Sequence, residues 1–308
     1  MKNLKQIIQE AEKNKVAIGH FNISDCVALK GIFMAAQEMG LPVIIGVSEG
    51  EREFFGTKRA ALMIKSLREE FDYPIFINAD HTKSFGKIKE AVEAGFDAVM
   101  FDGSDLPFEE NIKKTKEVVD YVESVNPDIL VEAELGYIKG SSIILSTSDV
   151  NKIKKGDLTK PEEAAAFVKE TGVDLLAPSV DNIHGLIFRR SDLPNINGQF
   201  QEIRSPEIKF ENPKLDIQRI KAIRGAVSVP LVLHGGSGIR DEEFLKAIDA
   251  GISIIHINTE LRLAWRRGLE KAFKEKPDEI VPYKVLPLVV EEIKKAAGKR
   301  LKLFNKLV

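Results

Sequence analysis

The sequence predicts an α/β fold in which eight strands and their helices close into a (β/α)8 barrel, with extra helices at the C-terminal end. Three observations predict it. Eight short apolar runs recur along the 308 residues. Segments with helical spacing fill the intervals between them. All five histidines fall at or just past the end of a run.

The first run is Val16–Gly19, followed by helical spacing at Ala28, Ile32, Phe33 and Ala36. The second, Pro42–Val47, precedes Ala60, Met63, Ile64 and Leu67. The third, Ile75–Asn78, precedes Ile88, Ala91 and Val92, and the fourth, Ala98–Phe101, precedes Ile112, Val118, Val119 and Val122. The fifth is Ile129–Ala133. A helix entry follows at Thr159-Lys160-Pro161-Glu162-Glu163, with a capping residue, a proline in the first turn, then acids. Leu175–Pro178, Pro230–Leu233 and Ile254–Ile257 complete the set. Most runs lack period-two alternation, as strands covered on both faces do. Alternating strand and helix predicts a parallel sheet, and eight such units predict the TIM barrel. No Pro/Gly/Ser-rich linker divides the chain, so residues 1–308 are read as one domain. Residues 188–212 are read as an inserted loop after the sixth strand, and about 262–308 as a helical extension. In that extension Leu286, Val289, Val290 and Ile293 are expected to pack on the barrel or on a second subunit.

A net charge of -2 with interspersed signs excludes an obvious nucleic-acid or anionic-membrane partner. The lone Cys26 cannot form an internal disulfide, and no window approaches a membrane span. The N-terminus is amphipathic and charged rather than signal-like. Together these predict a cytoplasmic protein.

His20, His81, His184, His234 and His256 would converge on the face of a barrel that carries its chemistry. Nearby acids are Asp80, Asp102, Glu132 and Glu134. Three neutral imidazoles with an open position make a catalytic divalent-metal site, though spacing does not say which three. The stretch "LHGGSG" supplies Gly235, Gly236, Ser237 and Gly238 after the seventh run, where backbone amides can approach a phosphate. The residues after the eighth run, "HINTE", lead into a helix N-terminus. The chemistry is that of a metal-dependent enzyme acting on a phosphorylated small molecule.

At this point the chain resembles the class II, metal-dependent fructose-bisphosphate aldolases and their tagatose-bisphosphate relatives. The matching stretches, in family order, are "FN" at Phe21, "VSEG" at Val47, "ADH" at Ala79, "GFDAVMFDGS" at Gly95 and "VEAELG" at Val131. They continue with "HG" at His184, "LVLHGGSG" at Leu231 and "NTELRLAW" at Asn258. The resemblance implies that His81, His184 and His234 hold zinc or another divalent metal, and that Asp80 is the acid/base. It implies that Asp102 and Glu134 form a second metal site and that Ser48 contacts the aldehyde half. Gly185, Gly235, Gly236, Ser237, His256, Asn258 and Thr259 would bind the dihydroxyacetone-phosphate half, with help from a metal or a monovalent cation. The implied reaction is cleavage of fructose 1,6-bisphosphate, or of tagatose 1,6-bisphosphate or another ketose phosphate, by a homodimer or homotetramer.

The chain also departs from that pattern. Where family members carry a glutamate after "EAELG", "YIKGSSIILS" presents Ser141 and Ser142. His256 stands where asparagine is usual, His20 where a small residue precedes "FN", and "PSVDNI" brings Asp181 and Asn182 before His184. His256, His20 or Asp181 is therefore expected to take over the missing proton transfer, unless the substrate has changed. Three rivals are weaker. A Schiff-base aldolase would have to use Lys83 or Lys139 and leaves the histidines unexplained. A metal hydrolase would want a His-x-His on the first strand. A non-catalytic zinc and sugar-phosphate binder would account for the lost acid.

Overall fold

The apolar runs pair edge to edge, and the computed structural model closes them into a cylinder. It describes residues 2–146, 158–188 and 212–307. The barrel strands are β1 (Ile18–Asn22), β2 (Val43–Gly46), β3 (Ile75–Thr82), β4 (Ala98–Phe101) and β5 (Leu130–Leu135). They continue with β7 (Leu175–Pro178), β9 (Leu231–Leu233) and β10 (Ile252–Ile257). All are parallel, in the order β1-β10-β9-β7-β5-β4-β3-β2, and every predicted run falls on one of them. Two further strands, β6 (Lys139–Ser146) and β8 (Ile183–Phe188), form a separate parallel pair that the hydrophobic pattern did not announce. The predicted loop at 188–212 lies almost wholly outside the described residues.

The N-terminal segment has a use in this architecture. Helix α1 (Leu4–Asn14) starts at a capping box between Asn3 and Gln6. Its apolar residues Leu4, Ile7, Ile8 and Ala11 have the spacing of one helix face. They pack against Ile18, Ile44, Phe76, Leu130, Val232 and Ile254 and seal the end of the barrel opposite the histidines.

The C-terminal extension packs on the barrel core. Helix α2 (Cys26–Met39) lies against a long terminal helix, Pro287–Phe304, which also covers the helix Thr259–Glu275. Val289 and Ile293 are fully buried there, with Leu286 partly so. Gly31 permits the approach, since a Cβ on it would stand 2.8 Å from the Val290 carbonyl oxygen. The helix entry near Thr159 also needs a correction. The helix is Pro161–Thr171 and its N-cap is Lys160, which makes no side-chain cap. Thr159 instead donates to the Leu135 carbonyl and accepts from Ser179 N–H, tying β5 to the end of β7. Among the described residues no helix is long and apolar enough to cross a membrane.

If the α1 seal is a true extension of the core, Ile8→Ala will lower unfolding free energy by about 2–5 kcal/mol, read by denaturant titration.

Candidate active site

Strand β3 poses a geometric problem. Neighbouring residues in a strand point to opposite faces, so Asp80 and His81 should not both serve one cavity. The pairing of β3 with β4 shifts register between Ala79 and Thr82, and His81 adopts a φ of +39°. This bulge turns both side chains into the cleft, at the cost of a strained backbone. The sequence reading ended this strand at Asn78; it continues through the bulge to Thr82. On β5, Glu132 and Glu134 are two residues apart and so share the inward face. His234 follows β9, His256 lies in β10, and His184 lies in β8 opposite Gly140.

These elements bring His81, Glu134, His184 and His234 together, with one ligand atom from each within 4.8 Å of the others. His81 Nε2 and His234 Nδ1 are 3.2 Å apart. Each of these rings is oriented from behind by a carboxylate. His81 Nδ1 meets Asp102 Oδ2 at 3.0 Å, and His234 Nε2 meets Glu132 Oε1 at 2.7 Å. Asp102 is held in turn by the Ser104 hydroxyl at 2.6 Å. Carboxylate–imidazole pairs of this kind aim a histidine at a metal. Asp102 thus stands behind His81, while Glu134 joins the histidines.

Electrostatics favour a cation here. Burial would lower the His81 pKa, but Asp80, Asp102 and Glu134 outweigh it and push it up to about 10. Burial, aided by Asp102, pushes Glu134 up to about 7. Burial holds His184 well below its ordinary value, so it is a neutral imidazole. Among the described residues, Glu134 Oε2 is buried without a hydrogen-bond partner. A neutral imidazole, an orphaned carboxylate oxygen and a proton lodged on His81 fit a divalent metal ion as the missing partner.

A second layer lies deeper. His20 and His256, in register on β1 and β10, stack with centroids 3.4 Å apart, and His256 also stacks on His234 at 3.9 Å. His20 is fully buried, and burial lowers its pKa to about 4. Gly46 makes room for it, because a Cβ there would lie 2.1 Å from the ring. His256 Nδ1 is 3.4 Å from Asp80 Oδ1. Burial opposes the charge on Asp80, but His81, His256 and His20 hold its pKa well below the ordinary range. Asn22 donates to Asp80 Oδ2 at 2.8 Å and to Glu51 Oε2 at 2.9 Å. Glu51 also accepts from Ser48 and from Arg262, and Arg262 reaches the Ser142 carbonyl at 2.9 Å.

The cleft is lined by Asn22, Asp80, His81, Ser142, His184, Gly185, the turn His234–Ser237, His256, Asn258 and Thr259. Of the expected substrate residues, Ser48 is absent from the lining and caps helix α3 (Glu49–Phe55) instead. His20 lies beneath His256. Asp181 sits half-buried in the turn between β7 and β8, outside the lining, with a φ of +69°. Within the glycine turn, Gly236 N–H donates to the His256 carbonyl at 3.1 Å. Gly238 N–H donates to Glu260 at 2.8 Å, and Glu260 N–H to Ser237 Oγ at 3.2 Å. Asn212 ties this turn to β8 through the Ser237 and Gly185 carbonyls, at 2.7 and 2.9 Å. The sequence places Glu132 among the acids near the histidines without a role of its own, and Asn22 and Arg262 lie in the stretches "FN" and "NTELRLAW". Glu51 and Asn212 carry no signal in the sequence.

The family model described as "Fructose-bisphosphate aldolase class-II" matches residues 2–307. The fructose-bisphosphate aldolase of Geobacillus stearothermophilus is 36% identical over 288 residues, covering 92% of this chain and 90% of that one. That of Staphylococcus epidermidis is 33% identical over 307 residues, covering 98% and 96%. Among solved structures, the YdjI aldolase of Escherichia coli K12 superposes with a TM-score of 0.76 at 32% identity, covering 99% of this chain and 97% of that one.

Two outcomes follow from the geometry. Glu132→Gln, by loosening His234, will weaken zinc affinity about 10- to 100-fold in a chelator competition. Because His81 holds its proton up to a pH of about 10 without metal, metal must displace that proton. Apparent zinc affinity will therefore rise from pH 6.5 to 8, by about tenfold per unit, with at least one proton released in calorimetry.

Proposed function

The chain belongs to the class-II fructose-bisphosphate aldolase family, and from that premise we propose that it is a zinc-dependent enzyme cleaving fructose 1,6-bisphosphate reversibly. The products are dihydroxyacetone phosphate and glyceraldehyde 3-phosphate. That it is an aldolase, a carbon–carbon lyase, follows from membership. The observation that carries the mechanistic reading is Asp80, ionised and 2% exposed, beside the four residues that could hold a metal.

His81, His184 and His234, with Glu134 beside them, would hold the metal. When bound, it supplies Lewis-acid stabilisation of the negative charge that develops on the ketose oxygens. Asp80, aimed by Asn22, takes the proton of the C4 hydroxyl. The C3–C4 bond then breaks, leaving an aldehyde on one fragment and the electron pair on the three-carbon fragment as an enediolate. A proton must next return to C3. Of the three groups expected to replace the family's loop glutamate, His256 is the one that lines the cleft and touches Asp80. We assign it that transfer: His256, kept a neutral imidazole by burial, relays to C3 the proton that Asp80 took, with His20 as the ring stacked behind it. Gly185, Gly235, Gly236, Ser237, Asn258 and Thr259 form the phosphate end, with room in the reading for a monovalent cation, and Ser48 belongs to the aldehyde side. Asp102 with Glu134 is retained as a second metal position. We place the activity in the cytoplasm, in a homodimer or homotetramer whose protomer is one domain, residues 1–308.

One observation supports a second reading, in which the substrate is tagatose 1,6-bisphosphate or another ketose phosphate: the departures from the family pattern include Ser142 and His256, both in the cleft lining. Release of dihydroxyacetone phosphate from fructose 1,6-bisphosphate should disappear with EDTA and return with zinc. Asp80→Asn should lower kcat by about 10²–10⁴, the range for losing a general base, and His256→Ala should slow the same step. If the zinc-supplied protein cleaves only tagatose 1,6-bisphosphate or another ketose phosphate, the substrate assignment is wrong. If it binds these sugars without turning any over, the non-catalytic reading replaces this one.

A further inference from the structure

The glycine turn read as the phosphate site has a carboxylate built against it. Glu260 lies in the first turn of the helix Thr259–Glu275, and its Oε1 accepts the Gly238 N–H at 2.8 Å. Glu260 N–H donates to Ser237 Oγ, so the two loops hold each other. A glutamate at a helix N-terminus suits the helix dipole. Beside a turn that receives a phosphate, the same charge is repulsive.

The structure answers that charge from a distant part of the chain. Arg300, on the terminal helix Pro287–Phe304, is 6% exposed. Its Nε meets Glu260 Oε2 at 2.8 Å and its Nη2 meets Oε1 at 2.6 Å, a fork-on-fork pair. Nη1 reaches Asp241 Oδ1 at 2.7 Å. Lys299 lies 3.4 Å from the other Asp241 oxygen, so the four charges balance. The guanidinium carbon also sits 4.9 Å from the Phe244 ring centroid, which fixes its plane.

We infer that Arg300 is a positioning residue for the anion site: through Glu260 it anchors Gly238, the residue that closes the Gly235–Ser237 turn, and cancels the carboxylate's repulsion of a bound phosphate. This rests on the reading of Gly235–Ser237 as the phosphate turn.

The test separates charge compensation from simple anchoring of the terminal helix. Zinc-supplied protein is titrated with inorganic phosphate in a calorimeter, and KM and kcat are measured with fructose 1,6-bisphosphate. R300M should raise the phosphate Kd and KM by roughly tenfold, the scale of one partly screened charge, and should change kcat much less. E260Q removes the repulsive charge but loosens Gly238, so it should change the phosphate Kd less than R300M does. The double variant R300M/E260Q removes both charges and should recover most of the lost affinity. R300K keeps the charge without the fork and should fall between R300M and wild type. If R300M does not fold, the double variant, which buries no unpaired Glu260 charge, decides alone: affinity within threefold of wild type supports the inference. R300M that binds like wild type, or a double variant at least tenfold weaker than wild type, overturns it. If wild type binds neither phosphate nor the sugar phosphate, the phosphate turn itself is wrongly assigned and the inference falls with it.

Discussion

Burying acid is the constraint on which the molecule is organised. Asp80, Glu132 and Glu134 are each no more than 2% exposed at the core of the barrel mouth. Ionised carboxylates removed from water survive only with opposite charge and hydrogen-bond donors supplied at close range. The surrounding choices meet that demand. His234 covers Glu132, Asn22 covers Asp80, and the proton on His81 answers the remaining charge. The β3 bulge and the open space at Gly46 are consequences, because without them His81 and His20 could not reach their positions. A divalent ion held by His81, Glu134, His184 and His234 would supply the same positive charge in place of that proton.

That view explains why some of the site was legible in the amino-acid order and some was not. Apolar runs report burial, and each one became a strand. Histidines placed after those runs report the barrel mouth, and His81, His184 and His234 converge there. The bulge was hidden because it depends on strand pairing, not on residue type. The β6–β8 pair was hidden because the shared edge between Lys139 and Ile183 comes from segments more than forty positions apart. Asp181 looked like a site residue because it adjoins His184 in sequence, but the turn places it outside the cleft. Arg300 lies about forty positions from the glutamate it pairs with, and nothing in its immediate neighbours marks it.

The cleft also divides by the kind of element that holds it. On its metal side, three of the four clustered residues, His81, Glu134 and His234, sit at the ends of barrel strands β3, β5 and β9 with carboxylates behind the imidazoles, while His184 comes from the separate β6–β8 pair. Its phosphate side rests on turns, and those turns are held by side chains from elsewhere: Asn212 on one flank and Glu260 on the other. The departures from the family pattern fall both on barrel strands, at His20 in β1 and His256 in β10, and off them, at Ser142.

The apolar face of α1 gives the barrel a floor. With Leu4, Ile7, Ile8 and Ala11 packed on the lowest layer of strand side chains, the stacked imidazoles and buried acids lie between an apolar floor and the cleft at the opposite end. Among the described residues, the floor offers these groups no polar partner, so the water or ligand that exchanges protons with them is expected from the cleft side.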